Sequence, residues 1–385
     1  MREVVVLGIG STEFGYRPDM GITDLAVEAC RKAFLDAGCD RKDIEALYLG
    51  NFAGESLVNQ GMLASVVASH LGVTGIPALR VEGACASGGL AAHQGIQNVA
   101  SGVHDMVLVV GVEKMTSATT AQVTQALASA GEQEREMRTG LTFPSMFGMI
   151  MRAHMEQYGT TREEIASVSV KNREFGIKNP LAHFRKPTTV EDVIESRLIG
   201  DPIRLFDCPP ISDGGTAMIF CTKERAADFS SAQAISVIGA AQASGPSTLF
   251  EMSDITSLPA TVQASQAAYA QAGVTPSEID VVELHDCFTI SEIIEVEDLG
   301  FVKKGEGGSA TAAGFTRGEG GPVVNPSGGL LSKGHPVGAT GCSQIYEIVK
   351  QLRGDASNQV KDARIGLAYN MGGTGAVATA AVFSN

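Results

Sequence analysis

The sequence predicts an α/β fold built by duplication, and three observations carry that reading. Short strand-like runs alternate with runs of helix formers along the 385 residues. A strand–helix–turn–strand unit occurs twice at a fixed spacing. A helix-rich stretch with a different pattern interrupts the first copy.

In order, residues 4–9 (VVVLGI) read as a buried strand. Thr23 or Asp24 supplies a cap for a helix that runs to about Ala37, with Leu25, Ala29, Ala33 and Phe34 along one face and Gly38 as its stop. Residues 43–51 form the next strand. The second copy opens on a strand at 234–242 and a helix from Pro259. Ala33 and Ala268, Ala37 and Ala272, and Asp43 and Glu278 are each separated by 235 positions. Further along, a strand at 76–84 leads to a helix ending at Ser101-Gly102 and a strand at 105–113. In the second half, 334–354 and 363–370 follow the same plan. Two halves of βαβαβ type predict buried, mostly parallel sheets. Between them, helical segments at 145–159 and 161–176 dominate, and a strand and helix over 212–226 close the first half. The expected division is 1–228 and 229–385, with the insertion at about 114–210 in the first half.

Composition narrows the function. A formal charge of −14 argues against nucleic acid as a partner, but leaves room for an anionic ligand in a local basic pocket. The seven cysteines show no C-x-x-C pair, which fits reduced thiols in the cytoplasm and neither a disulfide framework nor a zinc ribbon. No apolar run reaches membrane-spanning length, and the first residues read as a strand, not a signal peptide.

Reactive groups gather at predicted strand ends, where open α/β sheets bind ligands. Cys85 sits at a strand-to-helix turn of small residues, against the unpaired N–H groups of a helix start, a setting that favours thiolate. On its own it fits a buried small hydrophobe better. His285 and Cys287, in ELHDCFTI, share a face if the backbone stays extended. His335 lies between Gly334 and Pro336 in a glycine-rich loop, a stiff yet open mount for an imidazole. Residues 370–376 (NMGGTGA) are a glycine loop whose N–H groups suit an oxyanion or a phosphate. The densest basic run, Lys171, Arg173, Lys178, His183, Arg185 and Lys186, reads as a solvated face or as a site for a phosphate-bearing ligand. Cys30, Cys39, Cys221 and Cys342 read as core. His70, His93, His104 and His154 carry no partner signal.

Four motifs in this order, GACASGG, HDCF, NPSGGLLSKGHPVGATG and NMGGTG, resemble the thiolase superfamily, and within it the sterol-carrier-protein type and the archaeal and bacterial acetyl-CoA acetyltransferases. One departure stands out. The common thiolases carry a second catalytic cysteine in a C-x-G motif near the C-terminus, where this chain has Asn370-Met371-Gly372. The sterol-carrier type uses the cysteine of His-Asp-Cys-Phe, which is Cys287 here.

The resemblance implies a five-layer αβαβα architecture and an acyl-CoA acyltransferase. It implies Claisen condensation of two acetyl-CoA to acetoacetyl-CoA, or thiolytic cleavage of 3-ketoacyl-CoA. Cys85 would carry the acyl group and His335 would take its proton. Cys287 would move the α-carbon proton, and His285 would donate a hydrogen bond to the enolate oxygen. The N–H groups of Cys85 and Gly372 would form the oxyanion hole. Lys171, Arg173, Arg185 and Lys186 are the candidates for the coenzyme A phosphates, and Phe143, Met146, Phe147, Met149 and Met151 for the acyl pocket. No metal or redox cofactor is implied. The expected partners are acyl-CoA and coenzyme A, a second copy paired along 77–81 in a homodimer or dimer of dimers, and a small OB-fold protein of the kind that accompanies some relatives. Two alternatives stand beside this: a carbon–carbon lyase on steroid-type CoA esters, whose members lack the reactive cysteines, and a silent acyl-CoA-binding subunit of a larger complex.

Overall fold

The computed structural model describes residues 2–229 and 233–385. Its strands are β1 (Val4–Ser11), β2 (Ala46–Gly50), β3 (Ala78–Val81), β4 (Met106–Glu113), β5 (Leu198–Gly200), β6 (Ile203–Arg204), β7 (Gly214–Thr222), β8 (Ile235–Ser244), β9 (Val281–Glu283), β10 (Val323–Val324), β11 (Ile365–Gly372) and β12 (Val377–Ser384). Ten of them form one sheet, in the order β10-β9-β11-β12-β8-β1-β7-β4-β2-β3, and β5 pairs with β6 inside the insertion. From the centre outwards the two sides read β1, β7, β4, β2, β3 and β8, β12, β11, β9, β10. These are equivalent strands in equivalent places. The sides join only where Val4–Val6 meets residues 235–237.

The repeat is visible in detail. Short 3₁₀ turns at Arg41–Asp43 and Pro276–Glu278 lie 235 positions apart, and each is closed by an acid three residues after the cap, Asp43 on Asp40 and Glu278 on Thr275. A Cβ on Gly8 would fall 2.4 Å from the Ala33 carbonyl, and one on Gly239 would fall 2.3 Å from that of Ala268. Each half thus presses its outer helix onto the same glycine of its first strand.

Two details differ from the sequence expectation. The sheet is mixed, not mostly parallel. β2 runs parallel to β3 and β4, and β9 to β10 and β11. By contrast β7, β1, β8 and β12 run antiparallel to their neighbours. The short link from β11 to β12 leaves no room for the crossover that a parallel pair needs. The first helix, Ile22–Ala37, is capped not by Thr23 or Asp24 but at Gly21, whose N–H the Asp24 carboxylate accepts at 3.0 Å.

The Ile22–Ala37 helix packs on β1, β7 and β4, and its counterpart Pro259–Ala272 on β8 and β12. Between them lie the helices Ser87–Ser101 and Thr340–Arg353, each touching strands of both halves. The layers are therefore helix, sheet, helix, sheet, helix. The two middle helices meet at glycines: a Cβ on Gly341 would lie 2.2 Å from the Gly89 nitrogen. Their Ile96, Ile345 and Ile348 bury with Val4, Phe220 and Phe383 in one central core. Each such side chain contributes about 1.5–3 kcal/mol on burial.

The insertion supplies the helices Phe143–Tyr158 and Arg162–Gly176, the latter capped by Thr161 with Glu164 in a reciprocal box. Met146, Phe147 and Met151 pack into the core that holds Cys287 and Phe288, and the Phe147 and Phe288 rings stack with centroids 4.6 Å apart. Met149, by contrast, is 42% exposed. His154, which carries no partner signal in the sequence, is buried between Glu297 and Thr160 at 3.2 and 3.0 Å.

Candidate active site

Cys85 lies in a 3₁₀ turn, Ala84–Ala86, that runs straight into the Ser87–Ser101 helix. The turn is tight. Ala84 is held at φ 52°, in the left-handed region that costs a non-glycine residue free energy. Ser87 stabilises it, with its hydroxyl 2.6 Å from the Ala84 carbonyl and accepting the Gly83 N–H at 3.1 Å. The Glu82 carboxylate accepts the Ala84 N–H at 2.7 Å.

Two histidines come to this sulfur from the other half. Cys85, His285 and His335 each place one ligand atom within 4.8 Å of the others. His335 follows Gly334, whose φ of 116° turns the chain sharply at the end of a short helix, Gly329–Lys333. The two imidazole rings sit edge to face, centroids 5.0 Å apart. His285 and Cys287 do not owe their closeness to strand alternation. β9 stops at Glu283, and a turn in which the Cys287 N–H meets the His285 carbonyl at 2.6 Å carries both residues. The Cys287 sulfur lies 3.3 Å from the Ser291 hydroxyl.

Burial decides the protonation states. Cys85 keeps some surface, but the protein packed around its sulfur, helped by the Glu113 carboxylate, pushes the thiol up to about 12. The N–H groups of Cys85 and Gly373 oppose this and fall short. The helix-start field expected to favour thiolate is therefore outweighed in the resting protein. Burial drives His335 down to about 3, and burial with neighbouring His335 holds His285 well below its ordinary value. Burial, then Glu295, raises Cys287 far above a free thiol. The resting pair is thus neutral thiol and neutral imidazole. Alkylation of Cys85 by iodoacetamide accordingly climbs about tenfold per pH unit from 7 to 10, as thiolate becomes available only near the thiol's raised value. A rate already flat at pH 6 would mean a preformed ion pair.

Glu113, at the end of β4, ties the site together. It accepts the Phe52, Ala53 and Gly338 N–H groups at 3.0, 3.2 and 3.2 Å and the Asn51 amide at 2.7 Å. Four donors join the loop after β2 to the loop that carries His335. Burial still lifts this carboxyl to about 7. From the C-terminal loop the Gly373 N–H reaches the Cys85 sulfur, next to Gly372, which ends β11 opposite Val377. Beside the site opens a recess of ≈ 460 Å³ lined by Phe52, Glu82, Gly83, Ala84, Gly372 and Gly373.

Comparison with known proteins agrees with this geometry. Residues 4–224 match the family model "Thiolase, N-terminal domain" and residues 241–385 match "Thiolase C-terminal domain-like". The chain belongs to the thiolase family. It is 49% identical to an acetyl-CoA acetyltransferase of Methanothermobacter thermautotrophicus over 100% of both chains. It is 35% identical to sterol carrier protein 2 of Bos taurus, over 97% of this chain and 71% of the relative. Among solved structures, the Ltp2-ChsH2(DUF35) aldolase superposes with a TM-score of 0.86 at 30% identity, over 99% of this chain and 97% of that one. The resemblance drawn from the four motifs, and the acyltransferase function expected from it, hold.

The basic residues of this thiolase divide. Lys171 is 1% exposed and points into the core, 3.0 Å from Glu292 and 2.8 Å from the Val324 carbonyl. It is occupied and buried, which corrects its assignment to a phosphate. Arg173 is also largely buried, with its guanidinium over the Phe184 and Phe206 rings at 5.2 and 4.5 Å and its Nε without a hydrogen-bond partner. Arg185 and Lys186 lie at the surface, Arg185 3.2 Å from Glu13. Sequence reasoning missed Glu113, Thr340 and Asn370. The last two contact the site histidines, His335 Nδ1 to Thr340 Oγ1 at 2.7 Å and Asn370 Nδ2 to His285 Nδ1 at 2.8 Å. Thr340 opens the helix that follows His335, five positions further on.

Proposed function

We propose that this thiolase condenses two acetyl-CoA into acetoacetyl-CoA and coenzyme A, or runs the reverse on 3-ketoacyl-CoA, through an acyl thioester on Cys85. The observation that carries the reading is the Cys85–His285–His335 cluster at a helix start, with Cys287 beside it.

In the cleavage direction, His335 takes the Cys85 proton as the sulfur attacks the 3-keto carbon. The N–H groups of Cys85 and Gly372 stabilise the tetrahedral oxyanion, next to the Gly373 N–H that reaches the sulfur. Collapse leaves the acyl group on Cys85 and expels the enolate of acetyl-CoA. His285 donates a hydrogen bond to the enolate oxygen, and the Cys287 thiol gives its proton to the carbon. Its raised value suits an acid in this step. The resulting Cys287 thiolate takes the proton of incoming coenzyme A. The coenzyme A thiolate attacks the acyl enzyme, and Cys85 recovers its proton from His335. Each thiol returns to its starting state.

Arg173, Arg185 and Lys186 are the residues we propose for the coenzyme A phosphates. Arg173 supports this best, since no carboxylate pairs with it among the described residues. The reading needs no metal or redox cofactor. We take 1–228 and 229–385 as the two units of the chain and place it in the cytoplasm, where its seven free thiols would stay reduced. A homodimer or dimer of dimers would form along β3. That strand is an edge of the sheet and leaves Leu79 52% exposed. A small OB-fold partner is compatible with the same reading.

The purified chain should cleave acetoacetyl-CoA only when coenzyme A is added, followed as loss of the magnesium–enolate absorbance. The second reading, a carbon–carbon lyase, draws on the likeness to the Ltp2-ChsH2(DUF35) aldolase. Aldehyde release that is indifferent to coenzyme A would establish it instead. An inert chain that gains cleavage on adding a partner protein would favour a subunit of a complex.

A further inference from the structure

Two neutral imidazoles that face one sulfur differ in chemistry only through which ring nitrogen keeps the hydrogen, and that is set by what the other nitrogen meets. The two supports in this protein are of opposite kind. Asn370 Oδ1 accepts the Gly89 N–H at 3.3 Å, which fixes the orientation of the amide. Its nitrogen is therefore the group that lies 2.8 Å from His285 Nδ1. An amide nitrogen only donates, so His285 Nδ1 accepts and its hydrogen is on Nε2.

At His335 the donor and acceptor are reversed. Thr340 Oγ1 is 2.7 Å from His335 Nδ1 and 3.1 Å from the Pro336 carbonyl. The hydroxyl has one hydrogen, and a carbonyl can only accept. Both contacts are hydrogen bonds only if the hydroxyl donates to Pro336 and the His335 Nδ1–H donates to the hydroxyl. The alternative keeps one bond of two, in a buried place where the unmade bond leaves a polar atom without water or a partner. His335 Nε2 is then bare. With each Nδ1 turned to its support, the Nε2 edges remain for Cys85 and its substrate.

We propose that Asn370 and Thr340 are positioning residues that hold the two histidines in opposite tautomers, His285 as an Nε2–H donor and His335 as an Nε2 acceptor. The same two rings could otherwise exchange roles, and a proton lost to the wrong ring would stall either half of the reaction. What donor and base mean for turnover rests on the acyltransferase reading above. The tautomers themselves are a property of the resting protein.

Two measurements test this. In ¹⁵N-histidine-labelled wild-type protein, long-range proton–nitrogen spectra should show hydrogen on Nε2 of His285 and on Nδ1 of His335, assigned with His285→Asn and His335→Asn samples. Asn370→Asp replaces the donor by an acceptor of the same shape, and should move the His285 hydrogen to Nδ1. It should slow condensation about 10²–10³-fold while changing Cys85 acetylation by less than about threefold, because a donor to the enolate is lost and the base is untouched. Thr340→Val should slow acetylation itself by about 10–100-fold, with Thr340→Ser restoring it. Finding both rings in the same tautomer in wild type overturns the proposal. So does an Asn370→Asp protein whose acetylation falls as far as its condensation. If either variant fails to fold, the wild-type spectra decide alone. If wild-type Cys85 takes no acetyl group, the acyltransferase reading falls while the spectra still judge the tautomers.

Discussion

Cys85→Ala loses acetylation altogether. Wild-type protein mixed with acetyl-CoA gains the mass of one acetyl group on the intact chain, and the variant gains none. Turnover falls by about 10⁵–10⁶-fold, to the level left by binding and oxyanion donors alone, as when an enzyme loses its nucleophile. The loss is this large because nothing else at the site replaces the sulfur. Cys287 lies nearby but is pushed up by burial and by Glu295, and it lacks the N–H pair from Cys85 and Gly373. Folding should survive, since the residue keeps some surface and alanine fits its turn. A variant that still acquires an acetyl adduct and turns over would remove Cys85 from the role of acyl carrier.

Cys287→Ala has the second largest effect and a different signature. Acetylation of Cys85 from acetyl-CoA continues, since His335 handles that proton. Cleavage of acetoacetyl-CoA and condensation both fall by about 10³-fold, within the range that a positioned acid–base group supplies. Intact-mass measurement and the enolate assay on the same sample separate the two outcomes. Equal losses in both would place Cys287 in support of Cys85 and not in proton transfer to carbon. Glu295 gives a reason to expect the split. Its carboxyl, buried with one oxygen unpartnered and the other on the His285 N–H, serves the second half of the site alone.

The fold was legible because its signals are local and repeated. The offset of 235 positions between Ala33 and Ala268 marks a helix pressed on a strand, and the same contact recurs at Gly8 and Gly239. The directions of β1, β7, β8 and β12 were not legible. A buried strand reads the same whichever way it runs, and direction comes from the connections. At the site, Cys85 and His335 could be singled out because each sits in a run rich in glycine or small residues, and His285 and Cys287 because two reactive groups lie two positions apart at the end of a repeated strand. Their supports could not. Asn370 and Thr340 look like ordinary polar residues until the chain brings His285 and His335 to them. Lys171 shows the same limit in reverse. Its neighbours in sequence suggest a basic surface, yet Glu292 and the Val324 carbonyl, more than a hundred residues away, draw it inside.

The middle layer carries one more consequence. Cys85 opens a helix from the first half, His335 precedes a helix from the second, and Gly373 with Asn370 arrives only with β11, near the end of the chain. A growing polypeptide therefore exposes its principal thiol long before it owns a base, an oxyanion donor or a recess beside it. The centre therefore comes together only when both halves have folded against each other, and a chain that ends before β11 lacks the Asn370 contact to His285 and the Gly373 N–H that reaches the sulfur.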